Sequence, residues 1–296
     1  VIFDKNGIVK SAKGTPVLLL GDNFFERRDE KGNKYQLEGT EKEEVIKFIK
    51  DNKELSIVKP DAASENLLKK YAEQKQDLGK IIIGSVKDEI PGGSENRIPD
   101  SKNPNGSYAT QLVSESMLYT LQNMGTGDVD LVIQNSGGVR ISIMPGDFTY
   151  DGGYTLLPFS NTLYTLKMTG KEIKQVLEEA IDYSLLPGGS TGSFPYGAGI
   201  RYEAKKNGTL GNRITKVEVK DRNTGKWSAI DYKKMYTVGT NAYIAGGKDG
   251  YVTFGKVRDE RGGTDTYLDD AKSFIDYVKF VKVIKKPDST GVKFTF

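Results

Sequence analysis

A short apolar strand that runs straight into glycines constrains this chain more than any other feature. Leu131-Val132-Ile133 leads into Gln134-Asn135-Ser136-Gly137-Gly138-Val139-Arg140. Glycines after a strand let main-chain amides approach an anion closely, and an arginine fork beside them supplies charge and direction. The same residues also read as a Gly-rich turn whose arginine sits in solvent. A second glycine-dense stretch, from Asn241 through Tyr243 and Gly246-Gly247-Lys248-Asp249-Gly250 to Tyr251, again follows a strand pattern directly. Strands alternating with helices, and glycine motifs at strand ends, predict an α/β domain from about residue 80 to the end, its ligand loops clustered at one edge.

The residue types available narrow the chemistry. The 296 residues include no histidine and no cysteine. Disulfides, thiolate metal sites, cysteine nucleophiles, a Ser-His-Asp triad and an ordinary catalytic zinc site are therefore excluded within this chain. Any chemistry uses carboxylates or resides elsewhere. With 36% hydrophobic and 28% charged residues the composition is that of a soluble globular protein. Its 43 basic and 40 acidic side chains are interleaved, which argues against a nucleic-acid polymer or a membrane surface as partner. No apolar run approaches the ~18 residues of a membrane-spanning segment. The chain starts at Val1, shows no signal-peptide pattern and reads as a piece of something longer.

In chain order, Pro16 to Leu20 predicts a strand and the stretch through Gly32-Asn33 a turn-rich loop. Thr40 and Glu43 match a capping box, followed by Val45, Ile46, Phe48 and Ile49 at helical spacing. Pro60-Asp61 opens a second helix with Leu67, Leu68, Tyr71 and Leu78 toward one face. Lys80 to Gly84 predicts a strand, Tyr108 to Asn123 a helix, and Asp130 to Gln134 the strand that delivers the glycine motif. Met144 to Asp147 reads as a turn, and Tyr154 to Phe159 and Thr162 to Met168 as strands. Thr169 and Glu172 form a second capping box, before a helix with Ile173, Val176, Leu177, Ala180 and Ile181 inward. Pro187 to Gly199 reads as a Gly-rich loop, and Ile200 to Ala204, Ile214 to Lys220 and Lys234 to Thr240 as strands. A last helix near Tyr267 to Lys282 and a strand at Val292 to Phe296 close the chain.

Three aromatics, Phe159, Phe194 and Tyr243, sit in or beside the glycine loops. Two parallel rings can sandwich a planar heterocycle, at about 1 to 3 kcal/mol per stacking contact. Each ring taken alone reads equally as core packing. Asp249 is placed to accept bonds from a sugar hydroxyl, and Arg140 and Arg97 to hold phosphate.

These residues resemble the C-terminal, substrate-binding domain of the 5′-nucleotidases, two-domain metallophosphoesterases of the bacterial periplasm and the animal cell surface. The resemblance rests on Asn135-Ser136-Gly137-Gly138-Val139-Arg140, where the family has Asn-Gly-Gly-Gly-Ile-Arg, and on four further motifs in the family's order over about residues 80 to 296. These are Gly146-Asp147, Leu157-Pro158-Phe159-Ser160-Asn161, Met168-Thr169-Gly170 and Ala245-Gly246-Gly247-Lys248-Asp249-Gly250-Tyr251. The wording from Leu157 to Leu163 and from Gly189 to Tyr196 is nearest to bacterial members that also split NAD to nicotinamide mononucleotide and AMP.

The resemblance implies a mixed-sheet α/β (α+β) fold preceded by a helical linker. It implies that Phe159 and Tyr243 clamp the base, Tyr243 standing where the family has Phe. Asp249 is implied to hold the ribose hydroxyls, and Asn161 and Gly192 to line the base pocket. Asn135, Gly137, Gly138 and Arg140 face the phosphate, and Arg97, with Lys102 behind it, is the candidate for a further phosphate contact. The family's metal ligands and catalytic His-Asp pair lie in an N-terminal domain with Asp-x-His and Gly-Asn-His-Glu motifs, none of which is present here. Two divalent metal ions are expected in that absent domain and no cofactor in this chain. Residues 1–39 are then the tail of the metallophosphatase domain, 40–79 the helical linker and 80–296 the nucleotide-binding domain. The expected ligand is AMP-like or NAD, the expected location periplasmic or secreted, and the chain alone is expected to bind without hydrolysing. Rival readings are a 2′,3′-cyclic nucleotide phosphodiesterase with 3′-nucleotidase activity, a UDP-sugar hydrolase, and a non-catalytic nucleotide-binding or adhesion module.

Overall fold

The computed structural model describes residues 1–28, 34–123 and 127–295. The turn expected at Gly32-Asn33 and the final Phe296 lie outside them. The chain divides into two compact units, Val1–Lys75 and Gln76–Phe296.

The first unit is built from strands of two or three residues. β1 (Ile2–Phe3) pairs β2 (Val9–Ser11), β3 (Leu18–Leu20) runs parallel to β6 (Leu55–Ile57), and β4 (Glu26–Arg28) pairs β5 (Lys34–Gln36). Leu20, Phe25, Leu37 and Ile49 are buried, Ile49 from helix α1 (Gly39–Asp51). The capping box expected at Thr40 does not form: the helix starts at Gly39, so Thr40 lies inside the first turn, and Glu38 at the cap makes no side-chain bond. Helix α2 (Ala62–Gly79) begins after Asp61, whose carboxylate accepts from the Ser64 amide at 2.7 Å. Its Leu67, Leu68, Tyr71 and Leu78 are exposed.

The second unit is layered around one mixed sheet. Its strands are β8 (Leu131–Asn135), β10 (Thr162–Thr169), β11 (Pro195–Ala198), β15 (Met235–Asn241) and β16 (Thr264–Asp269), in the order β11-β8-β15-β10-β16. Only β8 and β15 run parallel; the other neighbours are antiparallel. Alternation along β8 sends Leu131 and Ile133 into one core and Val132 into the other. The first core also takes α5 (Gly170–Leu185), α7 (Val252–Arg261) and a sheet of β12 (Ile200–Lys205), β13 (Ile214–Lys220), β14 (Trp227–Ala229) and β18 (Val292–Thr295). The second takes α3 (Tyr108–Asn123), α8 (Asp270–Val281) and a sheet of β7 (Ile82–Val86), β9 (Gly146–Thr149) and β17 (Val283–Ile284). Among the described residues no helix is long and apolar enough to cross a membrane.

Helix α5 follows its sequence signals closely. Thr169 Oγ1 accepts from the Glu172 amide while Glu172 Oε2 accepts from the Thr169 amide, completing the capping box, and all five expected apolar residues are buried. Other segments depart from expectation. Residues 154–156, read as strand, finish helix α4 (Tyr150–Leu156), whose start is fixed by Thr149 Oγ1 accepting from the Gly152 amide at 3.2 Å. Gly146 and Asp147, read as a turn, pair with Val86 and Ser85. Pro195 to Ala198, read as loop, forms the edge strand β11, where proline's missing donor costs nothing on the unpaired side. Residues 267–269, read as helix, end β16, and Asp269 caps α8 by accepting from the Lys272 amide.

Candidate functional site

Sheet topology brings the singled-out loops to one edge. Parallel β8 and β15 both end there, discharging Asn135 into the turn Ser136–Gly138 and Asn241 into the short helix α6 (Ala242–Ala245). Antiparallel β11 and β10 both start there, since Pro195 faces Asn135 and Leu163 faces Asn241. The loops carrying Thr191-Gly192 and Phe159 therefore enter at the same edge, outside the carboxyl ends of the parallel pair, where open α/β sheets place ligands.

At this edge polar groups are locked together. Asn135, 3% exposed, donates from Nδ2 to Asp249 Oδ2 at 3.2 Å, and Tyr243 Oη donates to Asp249 Oδ1 at 3.0 Å. Asp249 has φ 52°, a left-handed conformation that aspartate tolerates better than most residues. Its carbonyl accepts from Ser193 Oγ at 2.6 Å, and Tyr251 Oη donates to the Ser193 carbonyl at 2.7 Å, tying the loop before β11 to the loop after α6. Burial first, then the bond to the Asp249 carboxylate, raises the Tyr243 pKa, so this hydroxyl stays a donor. Gly137 and Gly192 abut: a Cβ on Gly137 would stand 3.0 Å from the Gly192 Cα, and one on Gly192 2.9 Å from the Gly137 Cα. Only glycine on both sides allows this approach.

Two arginines sit beside that contact. Arg140 Nη1 donates to the Gly137 carbonyl at 3.2 Å, and Arg97 Nη1 to Thr191 Oγ1 at 3.4 Å. Burial, and secondly the Arg140 charge, lower the Arg97 pKa from the usual arginine value. Its buried Nε has no partner among the described residues. The carboxylates of Asp249 and Glu95 act on the Arg97 pKa in the opposite sense and partly offset burial and the Arg140 charge. The main chain at Arg97 is pinned by Tyr196, whose Oη donates to the Arg97 carbonyl at 3.0 Å and accepts from the Ser107 amide at 2.8 Å. Gly106, at φ 65°, is required there, because a Cβ would collide with that phenol. Lys102 belongs to a separate turn closed by Asp100.

The aromatics divide. Phe159 and Tyr243 are 55% and 44% exposed, and the Arg140 guanidinium lies 5.4 Å from the Phe159 ring centroid. Phe194 is core instead: it is fully buried against Tyr196 and Phe294. Asn161 donates from Nδ2 to Asp270 Oδ2 at 3.3 Å. Burial pushes the Asp270 carboxyl up to about 7 despite that bond. Sequence reasoning missed Thr191, Ser193, Tyr196 and Asn241. Of these only Asn241 carried a local signal, an N-cap residue type directly after a strand.

Residues 82–256 match the family model for the 5′-nucleotidase C-terminal domain. The chain belongs to this family. It is 44% identical over 99% of its length to the NAD 5′-nucleotidase of Haemophilus influenzae and 41% identical over 99% to a probable 5′-nucleotidase of Treponema pallidum. The chain spans about half the length of these relatives, 49% and 50% respectively. The solved structure of Haemophilus influenzae NAD nucleotidase superimposes with a TM-score of 0.70 at 43% identity, covering 99% of this chain and 52% of that one. The Thermus thermophilus 5′-nucleotidase precursor gives 0.66 at 29% identity over 80% of this chain and 44% of that one. The mixed-sheet architecture is thus the 5′-nucleotidase C-terminal fold, and the glycine-arginine turn lies at the edge where its parallel strands end.

Proposed function

We propose that this chain is the substrate-binding and specificity portion of a metal-dependent 5′-nucleotidase that hydrolyses nucleoside 5′-phosphates to nucleoside and phosphate. The observation that carries the reading is the convergence of four loops at one sheet edge, which bring Arg140, Arg97 and the two exposed rings of Phe159 and Tyr243 to it. Phe159 and Tyr243 stack on the base, Asp249 accepts from ribose hydroxyls, and Arg97, Arg140 and the turn at Gly137-Gly138 hold the phosphate. Asn161 and Gly192 line the base. The NAD 5′-nucleotidase relative, matched over 99% of this chain, favours NAD as a second substrate.

Two divalent metals belong, on this reading, to the other half of the protein, with a periplasmic or secreted location. Residues 1–39 are the tail of that half and 40–79 the connector. This chain offers the metals no fitting site: it has no histidine or cysteine, and among the described residues no three acidic side chains converge. Bound metals would polarise the phosphoryl group and activate water. The residues here bind and orient the nucleotide.

Calorimetric titration of the chain with AMP and NAD tests the binding role. Saturable binding is expected, lost when Phe159 and Tyr243 are both replaced by Ala; unchanged binding in that double variant would overturn the clamp. Kinetics of the full-length protein on AMP, NAD, UDP-glucose and 2′,3′-cyclic AMP test the activity. A highest kcat/KM on either of the last two would replace the reading with one of its rivals.

A further inference from the structure

Asn241 ends β15 with 1% of its surface exposed. Its Oδ1 accepts from the Ile244 amide at 3.0 Å. A main-chain N–H can only donate, so that end of the Asn241 amide must be the oxygen. The NH2 end is then fixed, and it donates to Gln134 Oε1 and Asn135 Oδ1, both at 2.9 Å. With its oxygen turned to Asn241, Asn135 must turn its own NH2 the other way, where it meets Asp249 Oδ2 at 3.2 Å. The Ile244 amide at one end and the acceptor-only Asp249 carboxylate at the other therefore fix the same direction for each donor between β15 and Asp249. Gln134 shows how firmly Asn241 sets its neighbours: its Nε2 points toward Gly138 and has no partner among the described residues, yet a flip would lose the Asn241 bond.

From this geometry we infer that Asn241 is a positioning residue that sets the sugar selectivity of the site. By keeping the Asn135 NH2 on Asp249, it holds that carboxylate between two donors, Asn135 and Tyr243, with a lone pair left on each oxygen. A pair of acceptors held side by side suits a vicinal diol, so the site takes ribonucleotides in preference to ligands lacking both hydroxyls. If the Asn241 donor were lost, Asn135 Oδ1 would be left buried without that donor, and Asn135 would lose one of the two bonds that hold its NH2 against Asp249. The inference rests on the nucleotide-binding reading above and adds to it the determinant of diol recognition.

Asn241→Asp and Asn241→Ser both retain an oxygen for the Ile244 amide and remove the NH2. Calorimetry on the chain would compare AMP with 2′,3′-dideoxy-AMP, with thermal midpoints as the folding control. The wild type should prefer AMP. Both variants should weaken AMP binding about tenfold, the scale of one charge-assisted bond, and leave dideoxy-AMP nearly unchanged, collapsing the preference. Asn241→Ser, which adds no charge beside Gln134, decides the matter if Asn241→Asp loses its fold. A variant that keeps the wild-type preference, or loses both ligands equally, overturns the inference. A wild type that binds neither nucleotide overturns the nucleotide reading itself.

Discussion

The two sides of the ligand edge are built by opposite means. On one side Gly137 lies against Gly192 and Asn135 is held between Asn241 and Asp249, so each group has a neighbour that fixes it. On the other, Phe159 and Tyr243 stand more than two-fifths exposed, with the Arg140 guanidinium over the Phe159 ring and Tyr243 Oη bonded to Asp249. The difference separates two jobs. Locked groups determine geometry and also carry fold stability, whereas exposed rings are free to contact a ligand and cost the fold little when removed.

The largest effect is expected from Gly192→Ala, which forces a Cβ to within 2.9 Å of the Gly137 main chain. Overpacking of this kind destabilises by about 1 to 3 kcal/mol, and separating the two loops should abolish AMP binding. Denaturant unfolding and titration together check it; full stability with full affinity would show that the loops are not locked. Phe159→Ala should weaken AMP binding by about 1 to 3 kcal/mol, the range for one base–aromatic stack, with no measurable change in thermal midpoint. A clear loss of stability would make Phe159 part of the locked side.

Asp270, the acceptor for Asn161, gives a pH test. Burial raises its folded pKa from 3.8 to about 7, so the folded state holds a proton that the unfolded chain releases. Its contribution is fully present below pH 3.8 and is lost as pH rises through 7. Wild-type stability should therefore fall by about 1.4 kcal/mol per pH unit across that window relative to Asp270→Asn. Parallel pH profiles for the two proteins would remove Asp270 from the account. The smallest effect belongs to Thr169→Ala, which removes the α5 cap and should cost about 1 kcal/mol in urea unfolding while leaving nucleotide affinity unchanged.

Much of this was legible where the signal was local. Thr169 and Glu172 are three residues apart and announce α5; Asn135 to Arg140 and Ala245 to Tyr251 announce strand ends by their glycines. Signals failed where distant packing decided. The residues at 154–156 are β-prone, but a cap at Thr149 makes them helical. Pro195 became a strand residue because β8 supplied a partner, and Phe194 a core residue because Tyr196 and Phe294 enclose it. Thr40 and Glu43 had the right spacing, yet the helix began two residues too early for their cap. The candidate residues could be named from local motifs, whereas the bonds that orient them join positions no local window contains.

Those bonds have a bearing on how the molecule folds. Asn135 meets Asp249 across 114 positions of sequence, Asn161 meets Asp270 across 109, and Tyr196 reaches Arg97 across 99. Loop closure over such separations is slow, because its entropy must be spent before any contact rewards it. The edge carrying Asn135, Tyr243 and Asp249 should therefore close among the last events of refolding, after helical signal has recovered, so that any affinity resting on it appears only in the fully assembled chain.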